Sequence, residues 1–270
     1  MEDIMSKFVV VIFPDEARAY EGTQALKDLH AEGSITVYGM AVIGRDAKGI
    51  VAVKQTETQG PLGMAVGSLL GGFVGMFGGP VGAAVGISYG AVIGGLTDMF
   101  NAGVGGDFVR TVSEKLTPGK SAVVSEVTED WVTPLDTRME AIGGFVLRES
   151  RSDFEDEQIE KEVNARKAEL SQLRDELKQA NAEGRANLQA RIAETEAKLK
   201  SVSERAQQRM HQLQEEAQAK VQELQNQATK AKSEAKSRVN RLIAEMRAED
   251  SRRYERLKEI WDQAKKDLAA

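Results

Sequence analysis

Between Thr58 and Thr97 the chain runs forty residues without a charged side chain, and glycine recurs through that run at every fourth position, twice over. Gly63, Gly67, Gly71, Gly75 and Gly79 make one ladder; Gly78, Gly82, Gly86, Gly90 and Gly94 make a second. A spacing of four puts each set on one face of a helix, where the missing side chains let another backbone approach closely, as in small-xxx-small packing between membrane helices. Loop glycines come mixed with Ser, Asn, Asp and charge. Here the residues between them are Leu62, Val66, Leu69, Leu70, Phe73 and Val74, then Val81, Val85, Ile87, Val92, Ile93 and Leu96. Each glycine costs about 1 kcal/mol of helix propensity relative to Ala, so such helices need an external gain, and lipid supplies one because unpaired backbone groups there are costlier still. Gly78-Gly79-Pro80 interrupts the run, since Pro cannot continue a helical ladder. The pattern predicts a glycine-zipper helical hairpin within 58–97, with arms from about Leu62 to Phe77 and Val81 to Leu96. Each arm is about 24 Å long at the usual rise, short of the roughly 20 residues of a comfortable crossing. The hairpin is therefore expected to insert in a membrane, with burial inside a large protein assembly as the alternative.

The segments on either side have their own pattern. Phe8 to Phe13 reads as a buried strand, too short for a secretory leader and followed at once by Pro14-Asp15-Glu16. A helix follows from about Asp15, its N-cap, to Ala31, with Gly33 as a stop. Strands at Ile35–Ile43 and Ile50–Gln55 flank the turn Arg45 to Gly49. Beyond the glycine-rich run come a helix from about Asp107 to Lys115, a turn at Thr117-Pro118-Gly119, a strand Ser121–Val127, a helix near Pro134–Ala141 and a strand Gly144–Leu147. The order β-α-β-β, insertion, α-β-α-β predicts an α+β sandwich of ferredoxin-like type, residues 1–57 and 98–150, split by the hairpin. Strands from both sides must join one sheet, so the insert must return to the face it left.

Phe8 to Asp15, the stretch Val51 to Thr56, the glycine-rich hairpin, Asp107-Phe108, Leu116 to Ala122 and Gly143-Gly144 together resemble a bacterial family of uncharacterised predicted membrane proteins that carry a domain of unknown function. The resemblance covers residues 6–149 or so and leaves the tail outside it. It implies membrane association and a compact sandwich, and no assigned activity.

Residues 1–150 carry 11 Lys+Arg against 18 Asp+Glu, and residues 151–270 carry 25 against 24, so net charges of −7 and +1 separate two kinds of structure. The second part has one glycine, Gly184, and no proline; its richness in Ala, Glu, Lys, Arg, Gln and Leu predicts a long helix over 151–270. Mostly apolar columns step by eleven: Leu177, Leu188, Leu199, Met210, Val221, Lys232, Ile243, Tyr254; Val202, Leu213, Leu224, Ala235, Met246, Leu257, Leu268; and Ala206, Ala217, Ala228, Val239, Asp250, Trp261. Eleven residues are three turns at 3.67 per turn, which predicts a nearly straight or slightly right-handed coiled-coil seam, self-associating between copies, with Gly184 as the expected bend.

Chemistry is sparse. The chain has no Cys, which excludes thiolate nucleophiles, thiolate metal sites and disulfides. His30 and His211 sit among ordinary helix residues. Gly119-Lys120-Ser121 resembles the end of a phosphate loop, but the required glycine is replaced by Glu114 and the motif leads from a helix into a strand. Glu126, Glu129, Asp130 and Asp136 read as a solvated acidic rim. The acidic balance argues against nucleic acid as a partner. The sequence thus predicts a non-enzymatic scaffold without cofactor or metal, partnered by itself and by lipid at a bacterial inner membrane, with its soluble parts cytoplasmic. The alternatives are a large soluble homo-oligomer with buried hairpins, and a pore-forming or ligand-sensing protein.

Overall fold

The computed structural model describes residues 6–57, 62–77, 106–150, 154–230 and 233–269. The described elements run β1 Lys7–Phe13, α1 Glu16–Glu32, β2 Ile35–Arg45, β3 Val51–Glu57, α2 Leu62–Phe77, α3 Gly106–Lys115, β4 Ser121–Glu129, α4 Thr133–Glu140 and β5 Phe145–Ser150. The helices α5 Phe154–Gln179, α6 Ala182–Lys230 and α7 Ser233–Ala269 complete them. Two compact units result. One holds Met1–Phe154 with Glu216–Arg247, and the other holds Glu155–Glu215 with Ala248–Ala270.

The first unit is built on one antiparallel sheet of order β3-β2-β4-β1-β5. β1 and β2 are joined through α1 with β4 between them, and β4 and β5 are joined through α4 with β1 between them. These two interlocked split units give the ferredoxin-like order, and β3 extends it at the edge. β1 reads Lys-Phe-Val-Val-Val-Ile-Phe without polar alternation because both sheet faces are covered. Val9, Val11 and Phe13 pack with Leu26, Leu29, Val123, Leu135 and Met139 beneath α1 and α4. Phe8, Val10 and Ile12 pack with Val124 and with Leu69, Phe73 and Val112 of α2 and α3. Phe8, Phe13, Leu26 and Phe73 are among the largest fully buried side chains, each worth about 1.5–3 kcal/mol by burial.

Local signals set the ends of the elements. The Asp15 side chain accepts a hydrogen bond from the Arg18 amide at 2.8 Å, and Gly33 closes α1 with φ +76°. Asp46 accepts from the amides of Lys48 and Ile50, which closes the β2–β3 turn. Within β2 the register with β4 shifts between Val37 and Gly39, so Tyr38 is the extra residue of a bulge.

The second unit is helical. Ile159, Val163 and Leu170 of α5 meet Leu199, Val202, Ala206, Met210 and Leu213 of α6 and Leu257, Ile260 and Ala264 of α7. Asp156, 3 % exposed, accepts from Arg209 Nε at 2.9 Å and from both Nε and Nη2 of Arg253, at 2.9 and 2.7 Å, tying all three helices together at one level. The tail is thus not one helix. It breaks at Ala180-Asn181, where the Asn181 side chain accepts from the Gly184 amide at 3.0 Å. Gly184, expected as the bend, stands in the first turn of α6, and the capping Asn181 is the break.

Candidate functional site

The glycine-rich run is half described. Its first arm is a helix with the bounds the sequence predicts, Leu62–Phe77. The second arm, with Gly78, Gly79, Gly82, Gly86, Gly90 and Gly94, lies outside the described residues. The described arm does not stand apart from the sandwich: Ala65, Val66, Leu69, Leu70, Phe73 and Val74 are buried in the core over the sheet. At 100° per residue these bulky positions share one side of the helix, Ser68 and Gly71 turn to the other, and Gly67 stands at the edge between them. Gly63, Gly67 and Ser68 are half-buried, Gly71 is buried, and Gly75 lies in the following turn. The apolar side of α2 therefore owes its burial to protein. Among the described residues no helix is long and apolar enough to cross a membrane.

The seam residues of the tail find partners within the chain. Leu199, Met210 and Leu213 belong to the three-helix core. Leu224, Val239, Ile243 and Met246 form a separate cluster, with Val221 packed against it. Leu177 and Leu188 are half-buried. The eleven-residue columns are real stripes, but they serve packing between antiparallel segments of one molecule as well as any contact between copies.

The segment Glu216–Arg247, here called the arm, lies on the sheet. It carries a concentrated polar cluster. Lys220 Nζ stands 2.6 Å from Glu126 Oε1, 2.8 Å from Glu216 Oε1 and 3.1 Å from Ser6 Oγ, and it caps the Tyr38 ring at 5.1 Å. Side-chain exposures of 8 %, 1 % and 9 % for Lys220, Glu126 and Glu216 make this a desolvated cluster. Ser6 Oγ donates to Glu126 at 2.6 Å. A hydroxyl beside a buried lysine invites comparison with a Ser–Lys nucleophile pair. The ammonium is instead engaged by two carboxylates, and the hydroxyl is committed to one of them. The cluster is a lock.

Gln227 extends it, donating Nε2 to the carbonyls of His30 and Ile35 at 2.7 Å each and accepting from Thr36 Oγ1 at 2.6 Å. Arg238 donates to the Gly33 carbonyl at 2.8 Å and stacks 5.4 Å from the Trp131 ring, and Arg241 reaches Asp130 at 2.7 Å.

The four carboxylates read from sequence as a solvated rim are not one. Glu126 and Glu129 are 0 % and 6 % exposed. Glu126 is bound by Lys220, Glu129 by Arg148 at 2.6 Å, Asp136 by Arg148 at 2.6 Å, and Asp130 by Arg241. Burial by itself lowers the pKa of the Arg148 guanidinium, but its hydrogen bonds to Glu129 and Asp136 outweigh that and hold it above the ordinary value. The signal missed was phase. Glu126 shares strand parity with Ala122 and Val124, which places it on the covered face, and its partner Lys220 follows in the tail beside the apolar residues Ala217, Val221 and Leu224.

The remaining sequence candidates have structural roles. His30 Nδ1 accepts from the Val37 amide at 3.2 Å, with Nε2 3.3 Å from Glu223. His211 is exposed, 3.5 Å from Glu215 one turn on. Gly119 adopts φ +88° in the turn between α3 and β4, its amide donating to the Arg45 carbonyl at 2.7 Å, and Lys120 Nζ rests on the Lys115 carbonyl. No cradle of amides forms there. A cavity of about 210 Å³ lies among Lys27, His30, Tyr38, Met40 and Glu57, its lysine bonded to Glu57 at 2.8 Å. Among the described residues no three His, Asp or Glu are grouped to hold a metal ion.

No curated protein matches the chain, and no solved structure does. The match that exists begins inside α2, passes through α3, β4, α4 and β5, and ends in α5. Over residues 64–164 the chain is similar to an uncharacterised domain family described as Protein of unknown function (DUF1269).

Proposed function

We propose that this protein is a non-enzymatic, self-associating structural protein whose sandwich presents a glycine-rich segment for packing against further copies at a membrane. One observation carries the reading: α2 turns its bulky residues to the sheet and leaves Ser68 half-buried on its other side, with Gly67 half-buried at the edge between the two. Small residues at spacing three and four let helices approach closely, and the neighbouring uncharged run continues the same spacing through Gly82, Gly86, Gly90 and Gly94. Membrane attachment then belongs to residues 78–97, because the apolar side of α2 is already used by the sheet.

That same use of α2 favours a second reading, a large soluble homo-oligomer in which the glycine-rich segments of many copies bury one another. Carbonate extraction of a membrane fraction separates the two. Under the first reading the protein stays in the pellet and floats with vesicles. Its recovery as a large particle without detergent would support the second.

A further inference from the structure

The face of the sheet that carries α2 and α3 changes character along its strands. On β1 it reads Phe8, Val10 and Ile12 and then Ser6; on β4 it reads Ala122 and Val124 and then Glu126 and Thr128. The apolar half lies under α2 and α3, and the polar half meets the arm through Lys220 and Gln227. Permanent burial under a helix pair gives no physical reason for polar side chains on half of a strand face. A half-face that is wetted part of the time does.

The apolar side of the contact agrees. Seven residues form the buried cluster of the arm, of which Tyr38 alone is a sheet residue and six are arm residues packed on one another, with Leu62 of α2 and Val221 of the arm partly buried against them. The bulge turns Tyr38 to the arm, and its hydroxyl accepts from Thr128 at 3.1 Å. Lifting the arm thus exposes one aromatic ring from the sheet, the side chain of Leu62 at the start of α2, and a set of hydroxyls and carboxylates that water can solvate.

We infer that the arm, Glu216–Arg247, is a detachable cover, docked on the polar half-face by the Lys220 lock and released by local opening while the sheet and the three-helix bundle stay folded. This goes beyond the self-association proposed above and does not depend on it.

Hydrogen exchange on the full-length protein tests it, read in three regions: the arm, β1 with β4, and α6 over residues 199–213. The arm is expected to exchange about a hundredfold faster than β1 and β4. Lys220→Met, which leaves Glu126 and Glu216 without their shared cation, should speed the arm by a further tenfold or so and leave the other two regions within about twofold. The chain has no native cysteine, so Thr36→Cys with Gln227→Cys, bridged by a short bis-methanethiosulfonate crosslinker that bonds each thiol with loss of sulfinate, should slow the arm to the rate of the strands. Equal rates for arm and strands in the wild type would overturn the inference. So would a Lys220→Met variant in which all three regions accelerate together, because the arm would then be an inseparable part of the fold.

Discussion

At the scale of single residues, contacts decide positions that composition leaves open. A Cβ on Gly22 of α1 would stand 2.5 Å from Phe13 Cζ, so the helix lies on that ring because a hydrogen stands where a methyl would. Gly22→Ala should cost about 1–3 kcal/mol by overpacking, seen as a lower thermal midpoint, even though alanine is the better helix former. Arg148 offers a charge counterpart. Arg148→Met leaves Glu129 and Asp136 without their shared guanidinium, and with the arginine side chain 19 % exposed the expected loss is about 2–4 kcal/mol by denaturant unfolding. The sign of its pH dependence follows from its raised pKa. That stability is fully present below the unfolded-state value and is lost as pH rises through the folded-state value, so it should not vary over the neutral range. The carboxylates were the residues least legible beforehand. Lys220 and Arg241, the partners of Glu126 and Asp130, lie about a hundred positions downstream, and no local pattern connects an acid at a strand with a base on a remote helix.

At the scale of elements, local physics was mostly readable. Asp15 and Gly33 bound α1 because a side-chain acceptor and a left-handed residue are local necessities, and the turn at Asp46 to Gly49 follows from the same chemistry. The bulge at Tyr38 was not readable, since strand periodicity tells nothing of the register of a partner strand. The tail shows where periodicity stops. Its columns located the apolar stripes, yet a helix of this composition has no internal reason to end at Asn181 except its cap. Asn181→Ala should cost about 1 kcal/mol, with the exchange of the first turn of α6 rising first. Leu199, 0 % exposed in the three-helix core, should cost about 2–5 kcal/mol when cut to Ala. Exchange in Glu155–Glu215 should report that loss before exchange in the sheet does.

At the scale of the whole molecule, two changes follow from packing. Gly63, Gly67, Gly71 and Gly75 belong to a helix whose apolar side packs on the sheet, so that side draws its burial from protein. The tail stripes are satisfied within one chain, so they no longer argue for association between copies. Association then rests on the small-residue side of the glycine-rich segment, and Gly67 is the place to test it, being half-buried at the edge of that side of α2. The deciding measurement is the molar mass of the purified protein by light scattering in mild detergent and without it, for the wild type and for Gly67→Leu. A multimer is expected for the wild type and a shift toward monomer for the variant, with helix content and thermal midpoint retained. A wild-type monomer under both conditions, or a variant that assembles as the wild type does, would contradict it.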